Sequence, residues 1–113
     1  MEFKGIVGRG KGEGTKNGFP SANIVLADAS LSGIYAGIVV VEGKEYQAAV
    51  YADQSRGLLE SHLLDFSGDL YGKEIEVSLK KKLRDPIVFS SVKSLQKTIA
   101  EDITTTRLYF KGV

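Results

Sequence analysis

Ser21 and Asn23 stand two residues apart in the stretch Gly18-Phe19-Pro20-Ser21-Ala22-Asn23-Ile24. On an extended chain, side chains at that spacing share one face. A hydroxyl and a carboxamide oxygen side by side are two neutral hard ligands, of the kind Mg²⁺ accepts when phosphates and water supply its other positions. Just upstream lies Gly8-Arg9-Gly10-Lys11-Gly12-Glu13-Gly14. Without Cβ atoms, Gly10, Gly12 and Gly14 let the backbone bend and turn its N–H groups toward phosphate oxygens. Alone, such a stretch reads as a flexible surface loop; beside Ser21 and Asn23 it reads as half of a metal-phosphate cradle. It is not a Walker A loop, which ends in Lys-Ser or Lys-Thr and opens a helix, whereas this segment leads into a Pro-headed strand.

The second chemical candidate is Glu60 in Leu58-Leu59-Glu60-Ser61-His62-Leu63-Leu64-Asp65-Phe66. Strand parity puts Glu60, His62, Leu64 and Phe66 on one face and Leu59, Ser61, Leu63 and Asp65 on the other. A carboxylate held near a phosphate-metal site can accept the proton of an attacking hydroxyl. The competing reading is a water-exposed Glu at a strand end, paired with Arg56 or a lysine. For His62 the structural reading is a hydrogen-bonded wall residue, and the functional one is a nucleotide contact.

The elements that must position these residues follow from local pattern. Pro20 fixes its own φ and extends Phe19, so residues 19–26 read as a strand. Residues 3–7 form a short strand before the glycines, and 34–41, with an almost unbroken apolar run, form the strongest strand signal. Glu42-Gly43-Lys44 is a hairpin connection into a strand over 45–52, followed by a polar loop and a strand over 58–66. Strict alternation over 74–80 turns Ile75, Val77 and Leu79 to the core. Residues 83–89 read as an ordered loop. Ser90 or Ser91 then caps an amphipathic helix whose core stripe is Val92, Leu95, Ile99 and Ile103, with Thr104-Thr105-Thr106 weakening its last turn. Six strand candidates and one helix predict a small antiparallel β-barrel with the helix outside it, a two-sheet sandwich being the alternative.

Composition sets the limits. The chain has 113 residues, 42% hydrophobic and 26% charged, with a net charge of +1, which is one ordinary globular domain spanning 1–113. The near-neutral balance argues against nucleic acid, and Lys80-Lys81-Lys82 reads as solvated surface. With no cysteine and one histidine, disulfides, thiolate chemistry and multi-histidine metal sites are excluded. No apolar run reaches membrane-span length and the N-terminus lacks a signal-peptide pattern, so a monomeric, cytoplasmic protein is expected.

Taken together, these residues resemble the riboflavin kinase (flavokinase) family, found alone or at the C-terminal end of bifunctional bacterial FAD synthetases. The likeness is carried by the glycines leading to Gly18-Phe19-Pro20-Ser21-Ala22-Asn23, by Gly33-Ile34-Tyr35-Ala36, and by Glu60-Ser61-His62-Leu63-Leu64-Asp65-Phe66 with Gly68-Asp69-Leu70-Tyr71-Gly72. Leu83-Arg84, Phe89 and a helix carrying Leu95, Ile99 and Asp102 complete it. The resemblance implies a six-stranded Greek-key barrel that moves the γ-phosphate of ATP to the ribityl hydroxyl of riboflavin, giving FMN and ADP. It implies Mg²⁺ on Ser21 and Asn23, Glu60 as base, the glycine segment (Gly10, Gly12, Gly14) over ATP, and Arg84 and Phe89 at riboflavin; the nucleotide contact of His62 comes from the residue reading alone. Ser21 stands where the family usually has Thr, and Tyr51-Ala52-Asp53 replaces an Asn-containing stretch. A flavin- or nucleotide-binding regulatory module without turnover is the alternative.

Overall fold

The computed structural model describes residues 1–8, 21–66, 68–87 and 91–112. Strands β1 (Glu2–Ile6), β2 (Ser21–Val25), β3 (Gly33–Val41), β4 (Lys44–Asp53), β5 (Leu58–Leu63) and β6 (Glu74–Arg84) precede one long helix, α1 (Val92–Phe110). They form a single antiparallel sheet in the order β1-β6-β3-β4-β5-β2. Strands β3, β4 and β5 follow one another as hairpins, and β6 returns to lie beside β3, which is the Greek-key arrangement. The sheet curls until its two edge strands meet. Gly8, just beyond β1, bridges to Asn23 of β2 with its N–H donating to the Asn23 carbonyl at 2.9 Å. A sandwich is thereby set aside in favour of a nearly closed barrel.

The hairpin between β3 and β4 turns on Glu42 and Gly43, both with positive φ (50° and 80°), so its twist matches that of the strands it joins. Curvature comes from β6. Its register against β3 slips between Ile34 and Tyr35 and again between Ala36 and Gly37, two bulges that bend the strand and tighten its twist. At Gly37 a Cβ would stand 2.8 Å from the Ser78 carbonyl oxygen, so only glycine permits the approach of these two strands. The bulges also carry β6 past the predicted end at Lys80 to Arg84, and Asp85-Pro86 stops it.

Inside the barrel, Val39, Val50, Val77, Ile75, Ile24 and Leu59 make an apolar core with almost no exposure. This is the face the alternation over 74–80 assigns correctly to Ile75, Val77 and Leu79. Strand β5 ends at Leu63, three residues short of expectation. The chain turns at Leu64 and Asp65, whose φ of 57° is incompatible with continued strand. Leu64 and Phe66 therefore do not extend the Glu60–His62 row.

Helix α1 lies outside the barrel against β3 and β4. Ser91, in extended conformation, caps it by accepting the Ser94 N–H at 3.1 Å, satisfying one of the first-turn donors. The inward stripe differs from the predicted one: Val92 is 64% exposed and Ile103 half-buried, while Ile99, Asp102 and Thr106 are buried. The threonine run does not end the helix. The hydroxyls of Thr104, Thr105 and Thr106 donate to the carbonyls of Ala100, Glu101 and Asp102 at 3.1, 3.0 and 2.8 Å, which satisfies them within helical geometry. Among the described residues no helix is long and apolar enough to cross a membrane.

Candidate active site

Antiparallel registry assembles the candidate residues. Asn23 pairs directly with Glu60 and Ser21 with His62 across β2 and β5. On the other side of β5, Glu60 pairs with Tyr51 and His62 with Ala49 of β4. The row continues through Ile34 of β3 to Arg84 of β6. Side chains directly opposite in such a ladder stand roughly 5 Å apart at Cβ. One row thus carries Asn23, Glu60, Tyr51, Ile34 and Arg84 across five strands, on the outer wall of the barrel.

That wall and α1 enclose a pocket of about 380 Å³. Its floor includes Ile34, Ala49, Tyr51, Glu60 and His62, while Leu95, Ile99 and Asp102 of α1 close the opposite side. Arg84 and Ile87 stand at one end and Asp53, Ser55 and Arg56 at the other. An apolar strip between two polar ends suits a flat, largely apolar ligand that carries hydroxyls. The site is therefore on the exterior of the barrel, under the helix, and its enclosure comes from α1 rather than from the barrel interior.

Glu60 is 6% exposed, which removes the reading of a strand-end carboxylate open to water. Its Oε1 lies 3.5 Å from His62 Nε2 and 3.9 Å from an Arg56 terminal nitrogen, so the Arg56 pairing anticipated from sequence does occur, but in a buried setting. Asn23 is 5% exposed and its Oδ1 is buried with no hydrogen-bond partner among the described residues. A buried acceptor without a donor is costly unless a ligand completes it, and a cation beside phosphate would do so. Ser21 next to it is half-buried. Among the described residues no three His, Asp or Glu side chains converge as metal ligands, so a metal held here takes most of its oxygens from substrate and water.

Arg84 faces Asp102 of α1 in a two-pronged pair, Nε to Oδ1 at 2.8 Å and a terminal nitrogen to Oδ2 at 2.7 Å. Its other terminal nitrogen donates to the Asp85 carbonyl at 2.9 Å. This fork-to-fork geometry ties the helix to the end of β6 at the pocket wall. Asp102 in this role was not foreseen; the Arg84 cation and the helix acid are too far apart in sequence for local pattern to connect them.

Asp53 was also missed, although Asp-x-Ser is a turn signature. Its Oδ1 accepts from the Ser55 N–H at 3.1 Å and hydroxyl at 2.6 Å and from the Arg56 N–H at 3.3 Å, while Oδ2 takes Arg56 Nε at 2.6 Å. Burial raises the Asp53 carboxyl, but the hydrogen bonds from Ser55 and Arg56 and the Arg56 charge outweigh it, leaving the group below its ordinary value. Burial pushes the Tyr51 phenol up, and the Asp53 charge adds to that. Gly10, Gly12, Gly14 and Phe89 lie outside the described residues. Gly8 and Ser21, which bracket the glycine segment, both flank Asn23.

The riboflavin kinase family profile matches residues 1–110. The bifunctional riboflavin kinase/FMN adenylyltransferase of Escherichia coli K12 is 37% identical over 117 aligned residues, covering 96% of this chain and 37% of that protein. A Mycoplasma pneumoniae protein of the same description is 32% identical, covering 95% of this chain and 42% of its own. The chain thus spans about two-fifths of these curated relatives. Among solved structures, riboflavin kinase from Trypanosoma brucei superimposes with a TM-score of 0.65 at 25% identity, covering 97% of this chain and 79% of that one. Profile, relatives and barrel agree along almost the full sequence: the chain belongs to the riboflavin kinase family.

Proposed function

We propose that the chain phosphorylates riboflavin at the ribityl 5′-hydroxyl, taking the γ-phosphate of ATP and releasing FMN and ADP. The observation that carries this reading is the direct pairing of Asn23 with Glu60, which sets an unpartnered buried oxygen beside a buried carboxylate at the edge of a pocket. Glu60 accepts the proton of the ribityl hydroxyl as its oxygen bonds to phosphorus, and the bond from phosphorus to the ADP oxygen breaks. Ser21 and Asn23 are the residues that would hold Mg²⁺. When bound, that ion neutralises phosphate charge, the main requirement of phosphoryl transfer.

His62 stands beside Glu60 on the nucleotide side, and the amides of Gly10, Gly12 and Gly14 close over the phosphates. The apolar strip of Ile34, Ala49, Leu95 and Ile99 takes the flavin ring, with Arg84 and Phe89 at its cover. Placing the acceptor hydroxyl in a pocket closed by α1 limits transfer to water. The chain acts as a cytoplasmic monomer without nucleic-acid or membrane partners. Membership of a kinase family over residues 1–110 disfavours a purely regulatory module.

Incubation with riboflavin, ATP and Mg²⁺ yields FMN, read by chromatography with fluorescence detection. Asn23→Ala is slower and needs more Mg²⁺. Riboflavin binding without FMN under any metal or nucleotide condition overturns the proposal and restores the regulatory reading.

A further inference from the structure

Resting on the kinase reading, we infer that Arg56, gripped by Asp53, is a positioning residue that orients the Glu60 carboxylate for proton transfer. The two oxygens of Asp53 do separate work. Oδ1 organises the turn between β4 and β5 by accepting from Ser55 and the Arg56 N–H, and Oδ2 fixes the guanidinium through Nε at 2.6 Å. A planar guanidinium held at Nε has little freedom left at its terminal nitrogens. One of them is thereby set 3.9 Å from Glu60 Oε1.

That distance lies within ion-pair range and beyond hydrogen-bond length, so Arg56 attracts the carboxylate without occupying it. His62 Nε2 approaches the same oxygen at 3.5 Å. Both neighbours thus lie against Oε1, which leaves Oε2 as the oxygen presented to the acceptor hydroxyl. Asp53, Arg56 and Glu60 all line the pocket, Asp53 and Glu60 each 6% exposed. Arg56 between them keeps 22% of its side chain exposed, so the cluster of alternating charge is only partly screened by water. Arg56 acts through Glu60 and makes no bond to phosphorus or to the transferred proton.

The test is a double-mutant cycle on the intact chain. Arg56→Ala lowers kcat by up to about 100-fold, the scale of a misplaced catalytic group, with the KM values for riboflavin and ATP changed by less than about threefold. Arg56→Lys restores the charge but not the fork and recovers part of the loss. In the Glu60→Gln background Arg56→Ala costs nothing further, because the group it positions is already gone. Asp53→Asn, which keeps an acceptor oxygen for the turn, gives a smaller loss of the same kind and guards against a variant that fails to fold.

An unchanged kcat in Arg56→Ala overturns the inference, as does a loss confined to the KM for ATP, which would make Arg56 a phosphate ligand. A loss that adds fully to that of Glu60→Gln, or that tracks a fallen Tm, does the same. If the unmutated chain makes no FMN, the kinase reading fails first and the positioning role falls with it.

Discussion

The two faces of β5 are both buried, and they are buried for different ends. Leu59 and Leu63, 0% and 4% exposed, point into a core of valine, isoleucine, leucine and alanine. Glu60 and His62, 6% and 5% exposed, point the other way, into the pocket beneath α1. The inner face is covered by apolar neighbours, whose demand is for volume and shape rather than for chemistry. The outer face is covered by Arg56, Asn23 across the ladder, and a helix bearing its own acid. The same strand thus faces the core on one side and the pocket on the other, and one residue of register separates them. The intruder is Ser61, on the inner face with 0% exposure and a hydroxyl lacking a partner among the described residues.

The sharpest way to break this division is Glu60→Gln. It should lower kcat by about 10²- to 10⁴-fold, the usual contribution of a general base, while the melting temperature stays near that of the unmutated chain. A large loss of Tm would mean that the outer face also carries the fold. Leu59→Ala is the mirror experiment. It should cost about 2–5 kcal/mol of stability, by denaturant titration, and leave kcat nearly intact well below the new Tm.

The two links between helix and barrel extend the comparison. Arg84–Asp102 is largely buried, with side-chain exposures of 24% and 11%, whereas the Arg107–Asp65 pair stands at 43% and 75%. Asp102→Ala leaves a half-buried guanidinium without its partner and should destabilise by about 3 kcal/mol; it should also weaken riboflavin binding by loosening the pocket wall. Asp65→Ala should change neither Tm nor binding measurably. Equal effects would show that α1 is held by its apolar stripe alone.

Two smaller effects sharpen the picture. Ser61→Ala removes a buried hydroxyl that has no partner among the described residues and should stabilise the chain by up to about 1 kcal/mol, without altering activity. Asp53 has a folded-state pKa below its unfolded value, so its contribution is present above the unfolded value, near pH 4 or about 3.9, and is lost as pH falls through the lower folded value. The Asp53→Asn variant should therefore show a shallower decline of Tm than the unmutated chain in acid below about pH 4.

Local pattern was enough to read six strands and a helix, and the family likeness favoured a barrel over a two-sheet sandwich. Alternation at Ile75, Val77 and Leu79, the Glu42-Gly43 turn and the apolar run of β3 each announce themselves within a few residues. Ser21, Asn23 and Glu60 could be singled out by residue type, and the family likeness supplied riboflavin as the alcohol. What no local pattern could supply was the pairing of Asn23 with Glu60 or of Arg84 with Asp102, since registry between distant strands and helix docking depend on the whole fold. Strand ends failed for a related reason: bulges prolong β6, and a positive φ at Asp65 cuts β5 short. The helix stripe is right at Leu95 and Ile99 and wrong at Val92, because apolar residues alone were counted and the inward face includes the carboxylate that Arg84 requires.

The Greek-key order gives the Asn23–Glu60 pair an additional property. The strands that carry these residues are joined through the β3–β4 hairpin, so β2 finds β5 only after a long loop has closed. Loop-closure entropy is spent before that contact returns anything. Fragments ending before β5 therefore lack the pair altogether, and a nascent chain acquires it only once Leu63 has been made and folded back. The Asn23–Glu60 pair therefore exists before β6 and α1 have been made, whereas the pocket beside it is closed only when α1 docks, so the pairing and its enclosure are acquired at separate stages.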